Sequence, residues 1–598
     1  MLLSRSACRA TLAAVSTNWR QRLLNRTDKA IGSRALGSNY GIPMGQRALF
    51  SANSSAPSVA FDSPYEYPTR KEAPLITTTK ATDVMSTSST PIESQKVYIP
   101  EDPFDDKGLL STEEKEKLKE QQSQKMRSFK LSSLPITKAV PNFVPPNVPS
   151  RELEAPETLI TTLDNGIRVV SQELYSQMCT VGVLTNVGSR HEDFTGTIHC
   201  LETMSFGSTK QYDGLEITQL LQDWGATRFV SHSREQTLHC IDILRPNVNK
   251  GMGLLSEVVL NPLIAESPVE VEYAKEVMQF QAQEQIPELN LAEALQVAAY
   301  GVDQQLGKLH FATPESIPFL NAALVEDFYQ KNIRNNPKGM VVAGAGIEHN
   351  ELVDMTKEYF GNVEQQSGPL TIPSKYRGGS HFIEIHSSST VYQTILPEKE
   401  QCKVALAFPV GGWHSDSMVT ACVLQALLGG GSSFSAGGPG KGMYSRMYQQ
   451  VLNKYVWIET AEAFTTFAEE EGLFGVSAGT THPERVPELV KVIADQLARI
   501  AVEPVGGVEL SRARNMLKCN ILTQLESRLI VFEDMGRQIL TYGKIEDAAS
   551  TCQKIDSVTG EDVQKLVQDM LQKAPTLAAT GSYINKIPRY EQVCNLFR

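Results

Sequence analysis

Over residues 152–598, hydrophobic and polar positions follow two alternating patterns. Short β-rich runs, such as Thr180–Asn186 and Val404–Val410, have the length and composition of strands. Longer stretches, such as Val508–Tyr542, have the period of helices. Turns, rather than regular strand–helix–strand units, separate these runs. The pattern therefore predicts an α+β fold, in which each sheet is mainly antiparallel and carries helices packed on one face.

An internal repeat divides this region into two copies. Cys179–Asp193 aligns without gaps with Cys402–Asp416, and six of the fifteen positions are identical. With this constant offset of 223 residues, two copies that begin near residue 152 end almost at the C-terminus. The segment Ser367–Ser380 contains Gly and Pro and is the expected junction. We therefore predict two duplicated domains, at residues 151–375 and 376–598, each near the upper end of the usual domain size.

The first 150 residues lack this pattern. Residues 1–50 hold eight Lys and Arg side chains against one Asp. An Arg-rich, acid-poor start without a long apolar run is typical of an organellar transit peptide, although a basic tail has the same composition. Arg47–Ser51 is the expected processing region. Residues 51–150 are rich in Ser, Thr, Pro and charge, and they predict a disordered extension with one short helix beginning at Ser111.

Charge and composition narrow the possible partners. The net charge of the chain is −12, and residues 51–598 alone carry −19. An acidic body argues against nucleic acid and suits basic ligands. No run of about 18 apolar residues predicts a membrane-spanning helix. The nine cysteines are scattered without a CxxC pair, which predicts reduced thiols rather than a disulfide scaffold.

One helical segment carries a degenerate metal motif. His199, Glu202 and Thr203 lie at positions i, i+3 and i+4, so they share one helix face. A second His in place of Thr203 would complete an inverted HxxEH motif, in which two His hold Zn²⁺ and the Glu activates a bound water. Thr203 is a poor metal ligand. By itself the segment therefore also fits an ordinary hydrogen-bonded His–Glu pair.

The other histidines are not expected to complete a metal site. His232, His239 and Cys240 lie on a strand-like run, whose alternating side-chain directions predict isolated packing roles rather than a cluster. His191 and His414 occupy matching positions of the repeat and are expected to be architectural.

A glycine-rich segment is the second candidate for function. Seven glycines lie between Gly429 and Gly442, with serines among them. Such a sequence does not build a hydrophobic core, so we expect exposed and adaptable backbone. A phosphate-binding P-loop does not fit, because Ser435 and Gly442 stand where that motif needs Gly and Ser or Thr. A plain linker is the other alternative, but predicted helices at Met418–Leu427 and Met443–Leu452 place the segment inside a domain copy.

The region around the degenerate motif resembles the N-terminal half of the pitrilysin/insulysin-type zinc metallopeptidases. The resemblance rests on Gly196–Ser208, on Val187–Arg190 before it and on Ser233–Thr237 after it. It implies a third zinc ligand, a Glu about 77 residues beyond the second His.

In this chain the position of that third ligand is not a carboxylate. Counting from Thr203 leads to Phe280 or, with a shift of one residue, to Gln281, although Glu276 and Glu284 lie nearby. Two of the three ligands are therefore missing. The resemblance implies a vestigial site that holds no metal and no catalytic residue, with His199 and Glu202 as its remnants.

The glycine-rich segment is similar to the signature of the α subunits of mitochondrial processing peptidases, with Ser432 where that family usually has another Gly. Leu525–Arg528 and Val531–Gln538 also resemble these subunits, and the resemblance covers residues 155–598. It implies that the segment lines the cavity of an αβ heterodimer and helps to hold the presequence. The residues that it implies for substrate binding are Gly429, Gly430, Gly431, Ser432, Ser433, Phe434, Ser435, Gly437, Gly438, Gly440, Lys441 and Gly442.

The resemblance thus predicts a non-catalytic, presequence-recognising subunit in the mitochondrial matrix or at the matrix face of the inner membrane. Its expected partners are basic presequence peptides and a β subunit that carries the zinc, so this chain itself needs no cofactor. A structural core subunit of ubiquinol–cytochrome c reductase is the main alternative, because these subunits resemble the processing peptidase closely and one protein serves both roles in some lineages. An independently active peptidase would need the missing ligands.

Overall fold

The computed structural model describes residues 156–284, 286–365, 368–385, 401–433, 442–581 and 584–597. All of them belong to one compact unit. The predicted transit peptide, the predicted extension and the helix expected at Ser111 lie outside the described residues.

Two six-stranded sheets form the framework. The strands are β1 (Thr158–Thr162), β2 (Arg168–Gln172), β3 (Met178–Thr185), β4 (Thr227–His232), β5 (Thr237–Leu244), β6 (Met340–Ala345), β7 (Gly379–Glu384), β8 (Cys402–Gly411), β9 (Gly430–Ser432), β10 (Ile458–Phe467), β11 (Glu471–Thr480) and β12 (Thr576–Gly581). The first sheet has the order β1-β2-β6-β3-β5-β4, and the second has the order β7-β12-β8-β11-β10-β9. Only the pairs β2–β6 and β7–β12 are parallel among the described strands.

Fourteen α-helices lie in the described part of the chain. They are α1 (Thr197–Met204), α2 (Gly214–Asp223), α3 (Val248–Leu260), α4 (Pro268–Glu284), α5 (Pro287–Tyr300), α6 (Ala322–Tyr329), α7 (His349–Phe360), α8 (Ser417–Leu428), α9 (Val486–Val502), α10 (Gly507–Leu525), α11 (Arg528–Tyr542), α12 (Ala548–Ser557), α13 (Gly560–Leu571) and α14 (Tyr590–Cys594). The predicted helical stretch Val508–Tyr542 is thus two helices, which are separated at Glu526 and Ser527.

The two sheets repeat one five-stranded arrangement. Strands β2-β6-β3-β5-β4 correspond in order and in relative direction to β7-β12-β8-β11-β10. Cys179 and Cys402, the first residues of the sequence repeat, lie on the matching central strands β3 and β8. The predicted α+β class with two mainly antiparallel sheets is confirmed. The sheets differ at one edge each, because β1 extends the first sheet beside β2 and β9 extends the second beside β10.

The helices of each copy cover one face of its own sheet. In the N-terminal copy, Ile198 of α1, Leu255 of α3 and Leu352 of α7 belong to one buried cluster on the first sheet. A second cluster joins α8, α9 and α13 to the second sheet. Burying a Leu or Ile side chain stabilises a fold by roughly 1.5–3 kcal/mol, so these clusters supply the main driving force for each copy.

The opposite face of each sheet is covered by a helix of the other copy, which the sequence pattern did not predict. Phe532 of α11 packs against Leu184 of the first sheet. Reciprocally, Ala294 of α5 packs against Ala405 of the second. The contact with α11 is close because β3 has Gly182, where an added Cβ would lie 2.5 Å from Cζ of Phe532. The two copies are therefore interlocked by exchanged helices.

A buried ion cluster joins the copies beside the predicted junction. Arg190 follows β3, and its side chain is only 1% exposed. Its guanidinium donates to Glu235 of the N-terminal copy at 2.6 Å and to both carboxylate oxygens of Glu470 in the C-terminal copy at 2.6 and 2.9 Å. The junction passes the same cluster, because Arg190 also donates to the Ile372 carbonyl and the Ser374 amide donates to Glu470. The exact domain boundary stays a prediction.

Candidate functional site

The degenerate motif lies at the start of helix α1, which a buried carboxylate holds in place. Gly196 precedes the helix with φ of 95°, a conformation that favours glycine. Glu192 accepts hydrogen bonds from the amides of Gly196 at 3.0 Å and Ile198 at 2.6 Å. Burial raises the pKa of Glu192 to about 7, against the opposing effect of these two amides. The first turn of α1, with His199 on it, is thus fixed by contacts inside its own copy.

Thr203 does not point toward a metal site. Its hydroxyl donates to the carbonyl of His199, one turn earlier on the same helix, at 2.9 Å. This local bond satisfies the hydroxyl within the helix. The side chain at the second-ligand position therefore has a structural role.

His199 is held in the wrong tautomer for a ligand that binds through Nε2. The ring is buried, and its Nδ1 atom accepts a hydrogen bond from the amide of Ala312 at 3.3 Å. Burial lowers the pKa of His199 to about 4, so the ring is neutral near pH 7. With Nδ1 accepting, the single proton is on Nε2, and neither nitrogen offers a free lone pair. A metal ion could bind here only if the ring gave up this bond.

Gln281 occupies the position expected for the third ligand. Of the two candidates that counting along the chain left open, Gln281 of α4 lies beside His199, and its side-chain hydrogen bond to the ring acts to raise the pKa of His199 against the larger lowering by burial. An amide oxygen at this place is a weak zinc ligand compared with a carboxylate. Glu276 is exposed, and the side chain of Glu284 lies outside the described residues.

Glu202 is paired with a histidine instead of a metal-bound water. His232, the last residue of the edge strand β4, donates from Nδ1 to the Glu202 carboxylate and from Nε2 to the His310 carbonyl at 3.1 Å. Burial acts to lower the pKa of His232, but the Glu202 carboxylate outweighs it and the pKa is raised. Because both ring nitrogens donate, His232 is an imidazolium. Glu202 is therefore the counterion of the buried His232 ring.

The expectation that His232 has an isolated packing role was wrong. Its ring lies 4.2 Å from the His310 ring and 6.0 Å from the His199 ring, centroid to centroid. His239 also reaches the motif helix, because its Nε2 lies 3.1 Å from the Ser205 hydroxyl. The strand pattern alone missed this cluster because β4 is an edge strand that lies against α1. The signal in the sequence was the position of His232 directly before Ser233–Thr237, which carried part of the family resemblance.

His191 and His414, the histidines at matching positions of the repeat, both make packing or hydrogen-bond contacts. His191 is buried, accepts from the Gly188 amide at 3.1 Å and lies 3.2 Å from the Thr371 hydroxyl. His414 packs edge-on against Tyr542 at 5.4 Å. Both contacts fit the predicted architectural roles. No group of three or more His, Cys, Asp or Glu side chains among the described residues is arranged to hold a metal ion. The residues at the motif do not fit zinc.

The first glycines of the glycine-rich segment form an edge strand. Gly430–Ser432 are β9, which pairs antiparallel with β10. Gly429, Gly430 and Gly431 have φ values of 55°, 118° and 154°. An added Cβ at Gly430 would collide with the carbonyl of Ala461, and one at Gly431 would lie 2.7 Å from the Tyr448 hydroxyl. Here the structure corrects the expectation of adaptable backbone, because these glycines are needed for a fixed, closely packed strand.

The chain that follows the segment is also held in place. Arg446 is buried and makes two hydrogen bonds to the Glu509 carboxylate of α10, at 2.6 and 3.0 Å. The Tyr448 hydroxyl donates to the Ser432 carbonyl at 3.3 Å. The helix predicted at Met443–Leu452 is shorter than expected, because only its second half, Met447–Leu452, is helical and is wound as a π-helix.

Part of the predicted substrate-binding set has no described position. Phe434, Ser435, Gly437, Gly438, Gly440 and Lys441 lie outside the described residues. Gly429, Gly430, Gly431, Ser432, Ser433 and Gly442 are described, and all of them lie in the C-terminal copy. A role in peptide binding stays a prediction for the whole set. In the part of the chain that the structure describes, no helix is long and apolar enough to cross a membrane.

Comparisons with known proteins give a consistent family assignment. The model described as "Insulinase (Peptidase family M16)" matches residues 168–311, and the model described as "Peptidase M16 inactive domain" matches residues 320–517. The mitochondrial-processing peptidase subunit alpha of Homo sapiens is 34% identical over 453 residues, which cover 73% of this chain and 84% of that protein. The same subunit of Solanum tuberosum is 33% identical over 475 residues, covering 79% and 89%.

A solved structure has the same fold. A chain of Complex III2 from Candida albicans, solved with Inz-5 bound, superposes with a TM-score of 0.60 at 17% sequence identity, covering 74% of this chain and 100% of that one. At this level of identity the likeness shows the fold alone.

Proposed function

This chain belongs to the M16 peptidase family, among the relatives of the mitochondrial-processing peptidase α subunits, and we propose that it is the non-catalytic, presequence-recognising subunit of such an enzyme. One observation carries the non-catalytic part of the proposal. The buried ion pair between Glu202 and His232 occupies the carboxylate that would have to activate water. The tautomer of His199 and the local bond of Thr203 support the same conclusion.

The catalytic metal belongs, in this proposal, to a β subunit. The partner supplies zinc and cleaves the peptide, and the present chain supplies binding energy and orientation. We assign peptide binding to the glycine-rich segment between Gly429 and Gly442. Its outer strand β9 offers main-chain groups that recognise an extended peptide without demanding a particular sequence.

The charge of the chain fits a basic ligand. Residues 51–598 carry a net charge of −19, and long-range attraction to an acidic surface raises the association rate of Arg-rich peptides. The relatives are mitochondrial proteins, and we propose the matrix, or the matrix face of the inner membrane, as the site of action.

A core subunit of the respiratory complex remains the second candidate. The superposition on a chain of Complex III2 is compatible with that role, but 17% identity carries no argument beyond the fold. Purification of the native chain separates the two. A processing-peptidase subunit migrates with a zinc-bearing partner alone, whereas a core subunit migrates with cytochromes.

The proposed function is tested by reconstitution. The purified chain alone should contain no stoichiometric zinc and should cleave no presequence, because the described residues at the motif do not fit the metal. Addition of the β subunit should produce cleavage together with about one zinc per heterodimer. A chain that alone binds one zinc, and loses it in His199→Ala, would show that the site is functional and would refute the proposal.

A further inference from the structure

The second sheet ends in the short strand β9, with which only β10 pairs among the described strands. In the β9–β10 ladder, Ser433 donates to the Glu459 carbonyl at 2.7 Å and Ala463 donates to the Gly429 carbonyl at 2.9 Å. These two bonds show that Gly429 and Ser433 direct their backbone hydrogen-bonding groups toward β10, and that alternate residues between them do the same. The amide and carbonyl of Gly430 therefore point away from β10, toward the outer edge. Gly430 can thus form the pair of hydrogen bonds that an added antiparallel strand makes with one residue.

Glu462 lies directly opposite Gly430 in the same ladder. Its neighbours Ala461 and Ala463 face the helix-covered core, so Glu462 projects from the other face of the sheet. Its side chain is exposed, yet desolvation raises the pKa of its carboxyl. The carboxylate is therefore accessible to a cation from outside the chain.

Among the described residues, the lysine that acts on Glu462 is ion-paired with another carboxylate. Lys403 acts to lower the pKa of Glu462, but its amino group forms an ion pair with Glu288, which acts to raise it. Ser477 is the hydrogen-bond partner of the Glu462 carboxyl. A guanidinium beside Glu462 would supply the positive charge and two hydrogen bonds in the geometry that a carboxylate accepts best.

The spacing suits an arginine on a strand added beside β9. A residue paired with Gly430 would lie two strand spacings from Glu462, about 9–10 Å between backbones. Its side chain would project from the same face as Glu462, because directly paired residues in antiparallel strands share a face. Gly430 has no side chain in between. An extended arginine and a glutamate together span this distance, whereas a shorter basic or polar residue would not.

We propose that Glu462 is the acceptor for one arginine of an extended presequence peptide, which pairs as an additional strand with the outer edge of β9 at Gly430. The inference rests on the proposed function and names a specificity-determining residue for it. Glu462 selects the charge of one peptide residue, while the main-chain bonds of Gly430 hold any sequence.

The test is a double-mutant cycle between protein and peptide. The full chain, assembled with its zinc-bearing partner, is titrated with a fluorescent presequence peptide and with versions in which each arginine in turn is replaced by the neutral isostere citrulline. One replacement should weaken binding to the wild type about tenfold, the range of a charge-assisted bidentate pair. Glu462→Gln should weaken binding of the parent peptide to the same degree, and that citrulline peptide should then bind both proteins equally. Glu484→Gln, in the exposed turn Pro483–Arg485, removes the same charge and should leave every affinity unchanged.

A second peptide series tests the strand pairing. Methylation of the backbone nitrogen of the identified arginine removes the donor to the Gly430 carbonyl, so it should weaken binding to wild type and Glu462→Gln alike. Equal citrulline effects in wild type and Glu462→Gln, or an N-methyl peptide of full affinity, would overturn this inference and leave the proposed function standing. A wild-type assembly that binds none of the peptides would overturn both. Circular dichroism of Glu462→Gln excludes misfolding as the cause of a loss.

Discussion

Arg190→Met should destabilise the chain strongly, since it removes the only cation that bridges Glu235 and Glu470 in the described structure. The guanidinium is 1% exposed and both carboxylates are 17% exposed, so the three groups share a poorly hydrated place. Methionine keeps the unbranched aliphatic stem and removes the charge. Removing one partner of a buried ion pair costs about 3–5 kcal/mol, because the remaining charges stay buried without compensation. We expect the free energy of unfolding to fall by this amount at pH 7.5.

The destabilisation caused by Arg190→Met should become smaller as the pH falls. In the wild type, burial acts to raise the pKa of Glu470, but Arg190 and the Ser374 amide outweigh it, so the pKa is lowered. The stability from that carboxylate is present above its ordinary pKa and is lost as the pH falls through the lowered value. In Arg190→Met burial dominates for both carboxyls, as it already raises the pKa of Glu235 in the wild type. Their protonation then relieves the penalty on acidification.

Urea unfolding followed by tryptophan fluorescence measures both effects, since Trp224 lies in the N-terminal copy and Trp413 and Trp457 lie in the C-terminal copy. The free energy of unfolding of the two proteins is compared at pH 7.5 and at pH 5. Arg499→Met is the matched control, because Arg499 forms an exposed ion pair with Asp495 and the loss of this pair should lower the free energy of unfolding by less than about 1 kcal/mol. If Arg190→Met lowers the free energy of unfolding no more than the control does, and by the same amount at both pH values, Arg190 is not the buried cation that holds the two carboxylates together.

Two further predictions concern the glycine strand and the vestigial motif. Gly430→Ala should lower the free energy of unfolding by about 1–3 kcal/mol, because φ is 118° and the new Cβ meets the Ala461 carbonyl. Gly507→Ala, where an added Cβ meets nothing within 4 Å, should leave the stability unchanged or raise it slightly. Thermal unfolding compares the two variants, and equal midpoints would refute the strand geometry. Glu202→Gln should lower the pKa of His232, which NMR titration of the ring protons measures. Because the wild-type pKa of His232 is raised above 6.5, the stability from this pair is fully present below pH 6.5 and is lost as the pH rises through the raised pKa. An unchanged titration of His232 in Glu202→Gln would contradict the ion pair.

The sequence was informative where a residue's chemistry is independent of its neighbours. The offset between Cys179 and Cys402 predicted the duplication, because each copy repeats the pattern of its own strands. Thr203 excluded a second His ligand on its residue type alone. The exchanged helices α5 and α11 could not be predicted, since a helix with apolar side chains on several faces is expected to be buried but its partner sheet is not specified. The same holds for His232, whose contact with Glu202 joins positions 30 residues apart.

The strand β9 escaped prediction for a different reason. Glycine is depleted in strands, because it adds no packing and loses much conformational entropy, so a run of three predicts a loop. In this chain the ladder with β10 and the close approach of Tyr448 require glycine, and the usual preference is reversed by tertiary contacts. A glycine run inside a domain copy therefore indicates close backbone approach as well as freedom.

The repeat also explains why a glutamate remains at position 202. With the offset of 223 residues, Glu202 of α1 corresponds to Gln425 of α8, which lies in the copy where no metal motif is present. Gln425 accepts from the Thr465 hydroxyl at 2.8 Å and donates to the Ala463 carbonyl at 3.3 Å, so it ties its helix to β10. Glu202 ties its helix to the matching strand β4 through His232. Both positions hold the first helix of a copy against the same strand of its sheet. A carboxylate inherited from a catalytic motif can therefore be retained for this structural bond alone, and its presence in the sequence is no evidence of catalysis.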